Sequence, residues 1–160
     1  MVRNITISLS INAMLERIYA TSALDYFMNK STGESQDPFT VLSHDQRDAL
    51  RLQLKDSFAH ILLQLLPHIT SSNVKDLPND DIELLILELQ VPTSVAESNT
   101  IALRQTIENC ITLDTLAMCQ SCKNQELASH YQQKYQQAIK LVKTLLTPLA
   151  NDLHITPHWL

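Results

Sequence analysis

The chain has 160 residues, of which 44% are hydrophobic and 18% charged, and its formal net charge is −5. This length and composition fit one globular domain, and the negative charge without a cluster of Lys or Arg argues against sequence-independent nucleic-acid binding. Gly33 is the only glycine, which argues against glycine-rich loops that bind phosphates or nucleotides or that expose a nucleophile.

Membrane and secreted proteins are also not indicated. No segment has the roughly 20 consecutive apolar residues of a membrane span, and Met1–Ser10 lacks the basic start and apolar middle of a signal peptide. Three cysteines, an odd number, are not typical of a secreted disulfide scaffold. We therefore expect a soluble protein made in a reducing cytoplasm.

The first predicted elements are a strand and a helix. Apolar and polar residues alternate over Ile5–Ser10, which is the period of a half-buried strand. Ser10 can then cap a helix that continues weakly through Phe27. The stretch Asn29–Phe39, which contains Gly33, is predicted to be a loop. The helix has an apolar stripe with three- and four-residue spacing, formed by Ile11, Met14, Leu15, Ile18 and Tyr19.

The second helix has a clear start signal. Ser43 and Gln46 have the spacing of a capping box, and Pro67 ends the helix because proline has no amide proton to donate. We therefore predict a helix over Ser43–Leu66 and a polar loop over Thr70–Asp81. The apolar stripe of this helix consists of Leu50, Leu54, Phe58, Ile61, Leu62 and Leu65.

The segment Asp81–Val91 fits two structures. As a helix it would have a good apolar stripe, and its Leu and Glu residues favour helices. As a strand it would place Leu85, Leu87, Leu89 and Val91 on one face. We favour the strand, because a strand at Ile5–Leu9 needs a partner for its backbone groups.

Two longer helices complete the prediction. The third runs from near Asn99 to Cys119, and we expect it to be central because Leu113 and Leu116 widen its apolar face. Asn124 can cap the fourth helix, which covers Gln125–Leu146. The apolar face of the third helix contains Leu103, Ile107, Cys110, Ile111, Ala117 and Met118, and that of the fourth contains Leu127, Tyr131, Tyr135, Ala138, Ile139, Val142, Leu145 and Leu146.

These elements predict a mainly α fold. It is a bundle of about four helices with a small two-stranded antiparallel sheet, formed by Ile5–Leu9 and Ile82–Leu89, on its side. Residues 1–148 form a single helical domain, and residues 149–160 form a C-terminal tail.

The pair Cys119 and Cys122 has the spacing of redox and zinc motifs. Structural zinc usually has four ligands, and no second pair is present in the sequence. A reactive cysteine of this type begins a helix after a strand, whereas this pair follows a helix. We therefore favour two small side chains at a corner between helices.

Other candidate groups are weaker. Asp114, within an apolar arc, could be a catalytic carboxylate. We favour a residue that bonds a neighbouring side chain or backbone group, or that points out at the rim of the apolar stripe. His154 and His158 are four residues apart, but Pro157 disfavours the helix that would align them for a metal. A group of acidic residues lacks the spacing of a calcium loop and is expected to be solvated. This group contains Asp76, Asp80, Asp81 and Glu83.

The C-terminal tail is apolar and is costly to leave in water. It either folds back on the bundle or docks on a partner. As the interface with another chain we predict Leu153, Ile155, Trp159 and Leu160, because aromatic side chains such as Trp are common interface anchors. We also predict that the loops Asn29–Val41 and Thr70–Asp81 become ordered on binding.

The order of elements over residues 4–146 resembles the small neck, or head–tail adaptor, proteins of tailed bacteriophages. The resemblance implies a structural protein of the virion, assembled in the host cytoplasm, that has no catalytic residues, cofactor or metal. Its copies would form a ring, with portal or tail components as partners and with neither a membrane nor sequence-specific nucleic acid.

Two other functions stay open. One is a cytoplasmic helical adaptor or regulatory protein-binding module that acts as a monomer or dimer. The other is an enzyme whose site is assembled from scattered residues. The size of the purified protein, alone and mixed with portal or tail components, distinguishes the ring from these alternatives.

Overall fold

The computed structural model describes residues 2–31, 41–77, 82–93 and 97–147, and four helices and three strands lie within these ranges. Short 3-10 turns at His44–Gln46 and Leu66–His68 flank the second helix. In chain order the elements are β1 (Val2–Ser10), α1 (Ile11–Ser31), α2 (Arg47–Gln64), β2 (Ile69–Leu77), β3 (Ile82–Pro92), α3 (Glu97–Gln120) and α4 (Gln125–Leu146).

The two predicted strands are present and pair with each other. β1 and β3 are antiparallel, with Ile7 opposite Leu87 and Leu9 opposite Leu85. All four of these side chains are buried, since side chains two apart on a strand lie on the same face of the sheet. The strand interpretation of Ile82–Leu89 is confirmed, and the helical alternative is wrong.

The predicted loop Thr70–Asp81 is wrong over its first part, because Ile69–Leu77 forms β2. This strand pairs antiparallel with β3, so the sheet has three strands in the order β1-β3-β2 rather than two. Ile69 packs against the core, whereas the exposed stretch Thr70–Val74 is held in the sheet by backbone pairing with β3. Residues 78–81 lie outside the described ranges.

The helix starts follow the capping signals. The Ala13 amide donates to Ser10 Oγ at 3.3 Å, and the Leu127 amide donates to Asn124 Oδ1 at 3.0 Å. These bonds satisfy backbone donors that have no partner within the helix.

The predicted loop Asn29–Phe39 is wrong at its start, where α1 continues to Ser31, and residues 32–40 lie outside the described part of the chain.

The predicted signals at the two ends of the second helix are present, but the α-helix is shorter than the predicted Ser43–Leu66 and covers Arg47–Gln64. The capping box forms at Ser43, where the backbone amide donates to Gln46 Oε1 at 3.4 Å. At the other end, α2 stops at Gln64 and Pro67 lies in the 3-10 turn that leads into β2.

Helix α3 is central, as predicted. It contacts α1, α2, α4 and β1, and every residue from Cys110 to Ala117 is buried. A helix buried on all sides at its middle must have mostly apolar residues around its full circumference. Together with α2 and α4 it forms the predicted bundle, and the sheet packs its apolar face against the helices.

A buried ion pair joins the sheet to α2. Glu83, on β3, has a side chain that is 7% exposed, and its Oε2 accepts hydrogen bonds from Arg51 Nη2 at 2.7 Å and Arg51 Nε at 3.0 Å. Lys55 contacts the other carboxylate oxygen. The expectation that the acidic group is solvated is therefore wrong for Glu83, because strand alternation turns this residue towards the helices.

The two cations set the ionisation of Glu83. Burial by itself would raise the pKa of this carboxyl, but the hydrogen bonds and charges of Lys55 and Arg51 outweigh it and hold the pKa below the ordinary value of 4.5. The carboxylate is thus charged at neutral pH and is part of the packing between β3 and α2.

Replacing Ile111 with Ala should lower the free energy of unfolding by about 2–5 kcal/mol, because the side chain is 0% exposed and its loss leaves a cavity. Chemical denaturation measures the change. Ile101→Ala, on the same helix but 65% exposed, is the control and should cost much less. A loss below about 0.5 kcal/mol for Ile111→Ala would show that the site collapses or is not a core position.

Replacing Glu83 with Gln should cost about 1.5–3 kcal/mol at pH 7, since charged hydrogen bonds are lost. The lowered pKa makes this stabilisation complete above about pH 4.5 and lost as the pH falls through the folded-state pKa. When the free energies of unfolding of the wild-type protein and of Glu83→Gln are measured from pH 7 to pH 2, the difference between them should therefore disappear in acid. Glu88→Gln, on the same strand, is the control, and a difference that stays constant into acid would contradict the ion-pair explanation.

Candidate functional site

The outer strand β2 has unusual exposure for part of a sheet. Residues Thr70–Asn73 are exposed, and Val74 is 40% exposed although it lies opposite the fully buried Leu85. This stretch of β2 therefore extends beyond the helices that cover β3. Both of its faces are accessible to another molecule.

Within the described residues, β2 also has an unpaired edge. It is bonded to β3 on one side, and β1 is bonded to β3 on the other side of the sheet. A strand with a free edge presents a row of backbone donors and acceptors that can bind an additional strand. β1 is the other edge strand of this sheet, and β2 differs from it in being exposed over Thr70–Val74.

Some features of β2 favour such pairing and others oppose it. Its sequence contains no proline, and its register with β3 is regular from Ser71 to Leu77. Lys75 and Asp76 are charged residues of the kind that oppose strand addition, and the stretch before them is uncharged. One irregularity lies between Ile69 and Ser71, where the Thr70 hydroxyl donates to the Glu88 carbonyl at 3.3 Å. The remaining edge is seven residues long, which is enough for a stable added strand.

Asp114 forms a hydrogen bond with a neighbouring side chain, which is one of the two non-catalytic arrangements favoured from the sequence, and it does not point outward. Its Oδ2 lies 3.0 Å from His60 Nδ1, and the carboxylate is buried while the imidazole is half exposed. One helical turn away, Ser57 and Thr115 share a buried hydrogen bond of 2.9 Å. These pairs form a polar seam between α2 and α3.

A cleft of about 380 Å³ lies beside His60 and Asp114. Tyr135 lines it, and burial together with the charge of Asp114 raises the pKa of this phenol to about 12, so it is neutral at physiological pH. The seam orients one imidazole, but the described residues that line the cleft include no Ser, Thr or Cys that this base would activate. We assign the seam to packing.

The cysteines lie at the corner between α3 and α4, as predicted. Cys119 is partly buried and packs against the core, and Cys122 is exposed in the turn. Burial raises the pKa of Cys119, which keeps it a thiol rather than a reactive thiolate. Among the residues that the structure describes, no three His, Cys, Asp or Glu side chains are grouped to hold a metal.

The predicted interface in the tail cannot be located. Leu153, Ile155, Trp159 and Leu160 lie outside the described residues, as do His154 and His158. Helix α4 ends at Leu146. These interface residues stay a prediction.

Sequence reasoning missed β2, although a signal for it was present. The segment contains the β-branched residues Ile69, Thr70 and Val74, which favour strands. Leu84 and Ile86 make the second face of β3 apolar, which indicates cover on both faces of the sheet rather than a third strand.

Comparisons with protein-family models, with curated proteins and with solved structures gave no match. The resemblance to phage neck proteins therefore stays a prediction. In the described ranges, no helix is both long and apolar enough to span a membrane.

Proposed function

We propose that this protein is a non-enzymatic structural subunit that works by binding further copies of itself. The observation that supports the proposal best is the open edge of β2, which is exposed on both faces over Thr70–Val74. Strand addition at such an edge supplies many backbone hydrogen bonds without requiring a deep pocket.

The strand directions allow the contact to be repeated. β1 and β2 are each antiparallel to β3, so they run parallel to each other at opposite edges of the sheet. If β2 of one copy pairs with β1 of the next, every copy has the same orientation relative to its neighbour. A head-to-tail contact of this kind forms a closed ring when the rotations between successive copies add up to a full turn.

A ring is also what the resemblance to phage neck proteins implies. In that setting the ring lies in the virion between portal and tail, and portal or tail components are its further partners. The alternative, a helical adaptor or regulatory module, would instead be a monomer or a dimer in solution.

Sedimentation and light scattering of the purified chain, over a range of concentrations, test the proposal. We expect wild-type protein to form a closed oligomer larger than a dimer. Val74→Lys should weaken association by about tenfold or more, because a lysine on an edge strand opposes strand addition. Gln133→Lys makes the same charge change at an exposed position on α4 and should associate as wild type does.

Each outcome has a clear consequence. Since Val74 is partly exposed, circular dichroism should show that Val74→Lys remains folded. A wild-type chain that stays monomeric at all concentrations, also with portal or tail components present, would refute self-association. Association that is unchanged in Val74→Lys would move the interface away from β2.

The predicted tail interface gives a second test. Deleting Asn151–Leu160 should leave the free energy of unfolding nearly unchanged but reduce assembly, since Trp159 and Leu160 are predicted to be buried against another chain. Denaturation and sedimentation of the truncated protein measure the two effects separately. If the truncated chain unfolds, the tail belongs to the core of its own subunit.

A further inference from the structure

A second cleft, of about 630 Å³, lies where α1, α3 and α4 meet. It is separate from the sheet edge and from the His60–Asp114 seam. Its lining comes from all three helices and includes Arg17 on α1, Gln105, Asn109 and Leu113 on α3, and Lys134 and Gln137 on α4.

Among the described residues that line this cleft, the two charged side chains are Arg17 and Lys134, and both are cationic. Arg17 Nη1 contacts Glu108 Oε1 at 3.3 Å, so Glu108 offsets the charge of this guanidinium, while its other N–H groups can still donate hydrogen bonds. No described residue forms an ion pair with Lys134. In a chain with a net charge of −5, Lys134 is thus a cation without a described counter-charge, and it favours an anionic group in the cleft.

The rest of the lining adds hydrogen-bonding and apolar groups. Gln105, Asn109 and Gln137 provide amide groups that both donate and accept hydrogen bonds. The most deeply buried lining residues, Leu113 and Ala138, are apolar. The cleft thus combines cations, amides and a small apolar surface.

We propose that this cleft binds an acidic peptide segment of another protein. The cations would pair with its carboxylates, the amides would bond to its backbone, and the apolar residues would contact its aliphatic side chains. Half of the lining is exposed, so the cleft is too open to bury most of a small ligand, as small-molecule sites do. Two cations are also few for nucleic acid, which needs many phosphate contacts.

Binding is tested with a blocked hexapeptide of alternating Glu and Leu, followed by calorimetry and by backbone amide NMR shifts. We expect saturable binding with a Kd below about 1 mM and shifts that cluster between Gln105 and Leu113 and between Lys134 and Leu141. The same peptide with Gln in place of Glu should bind at least about tenfold more weakly, because the charged pairs are lost.

Two lysine variants of the same helix separate a specific site from general attraction. Lys134→Gln should weaken peptide binding by about fivefold to tenfold, whereas Lys140→Gln, exposed on α4 outside the cleft lining, should change it by less than about twofold. Equal losses in both variants, or no saturable binding, would overturn the proposal. Equally tight binding of glutarate would overturn the assignment to a peptide.

This inference is independent of self-association. Peptide binding is measured at a concentration at which sedimentation shows a single species, and Lys134→Gln should leave the oligomeric state unchanged. Loss of peptide binding with assembly intact would refute only the cleft, and loss of assembly with binding intact would refute only the sheet edge.

Discussion

The structure depends on the complete burial of α3 over Cys110–Ala117. A helix enclosed on every side has no solvent face for its polar residues, so each of these must find a partner within the protein. The Thr112 and Thr115 hydroxyls donate to carbonyls one turn earlier at 2.9 Å, Thr115 also bonds to Ser57, and Asp114 bonds to His60. Helix α2 supplies partners for two of these polar groups through Ser57 and His60. The contact of α2 with α3 therefore combines apolar packing with a polar seam.

The sheet is organised differently, because only its centre is enclosed. β3 buries one face against the helices and has a bonded neighbour on each side, while β2 is exposed over Thr70–Val74. The link between Glu83 and α2 holds β3 firmly against the bundle. A well-anchored central strand beside an open edge strand is a suitable arrangement for adding further strands without deforming the subunit, and this asymmetry supports a role in assembly.

The two proposed interaction surfaces differ in the physics of binding. The edge of β2 relies on backbone hydrogen bonds, which are largely independent of side-chain identity and therefore suit a repeated contact between copies. The cleft between α1, α3 and α4 relies on the charges of Arg17 and Lys134 and on three amides, so it selects by chemistry and weakens as salt increases. One subunit could thus assemble with itself and recognise a different partner.

The sequence by itself determined the helices and their caps, because periodicity and capping depend on residues close together in the chain. Local periodicity left Asp81–Val91 open between helix and strand, and only the need of β1 for a partner favoured the strand. The sequence also indicated that α3 is central, from the width of its apolar face. Tertiary structure alone decided that Ile69–Leu77 is a strand, that Glu83 is buried between two cations and that Asp114 meets His60. Those outcomes depend on groups brought together from distant parts of the chain: β2 is polar and is ordered by the free edge of β3, and the partners of Glu83 lie some thirty positions away on α2. Local sequence patterns do not predict such pairings, since the interactions that stabilise them form only when the elements pack together.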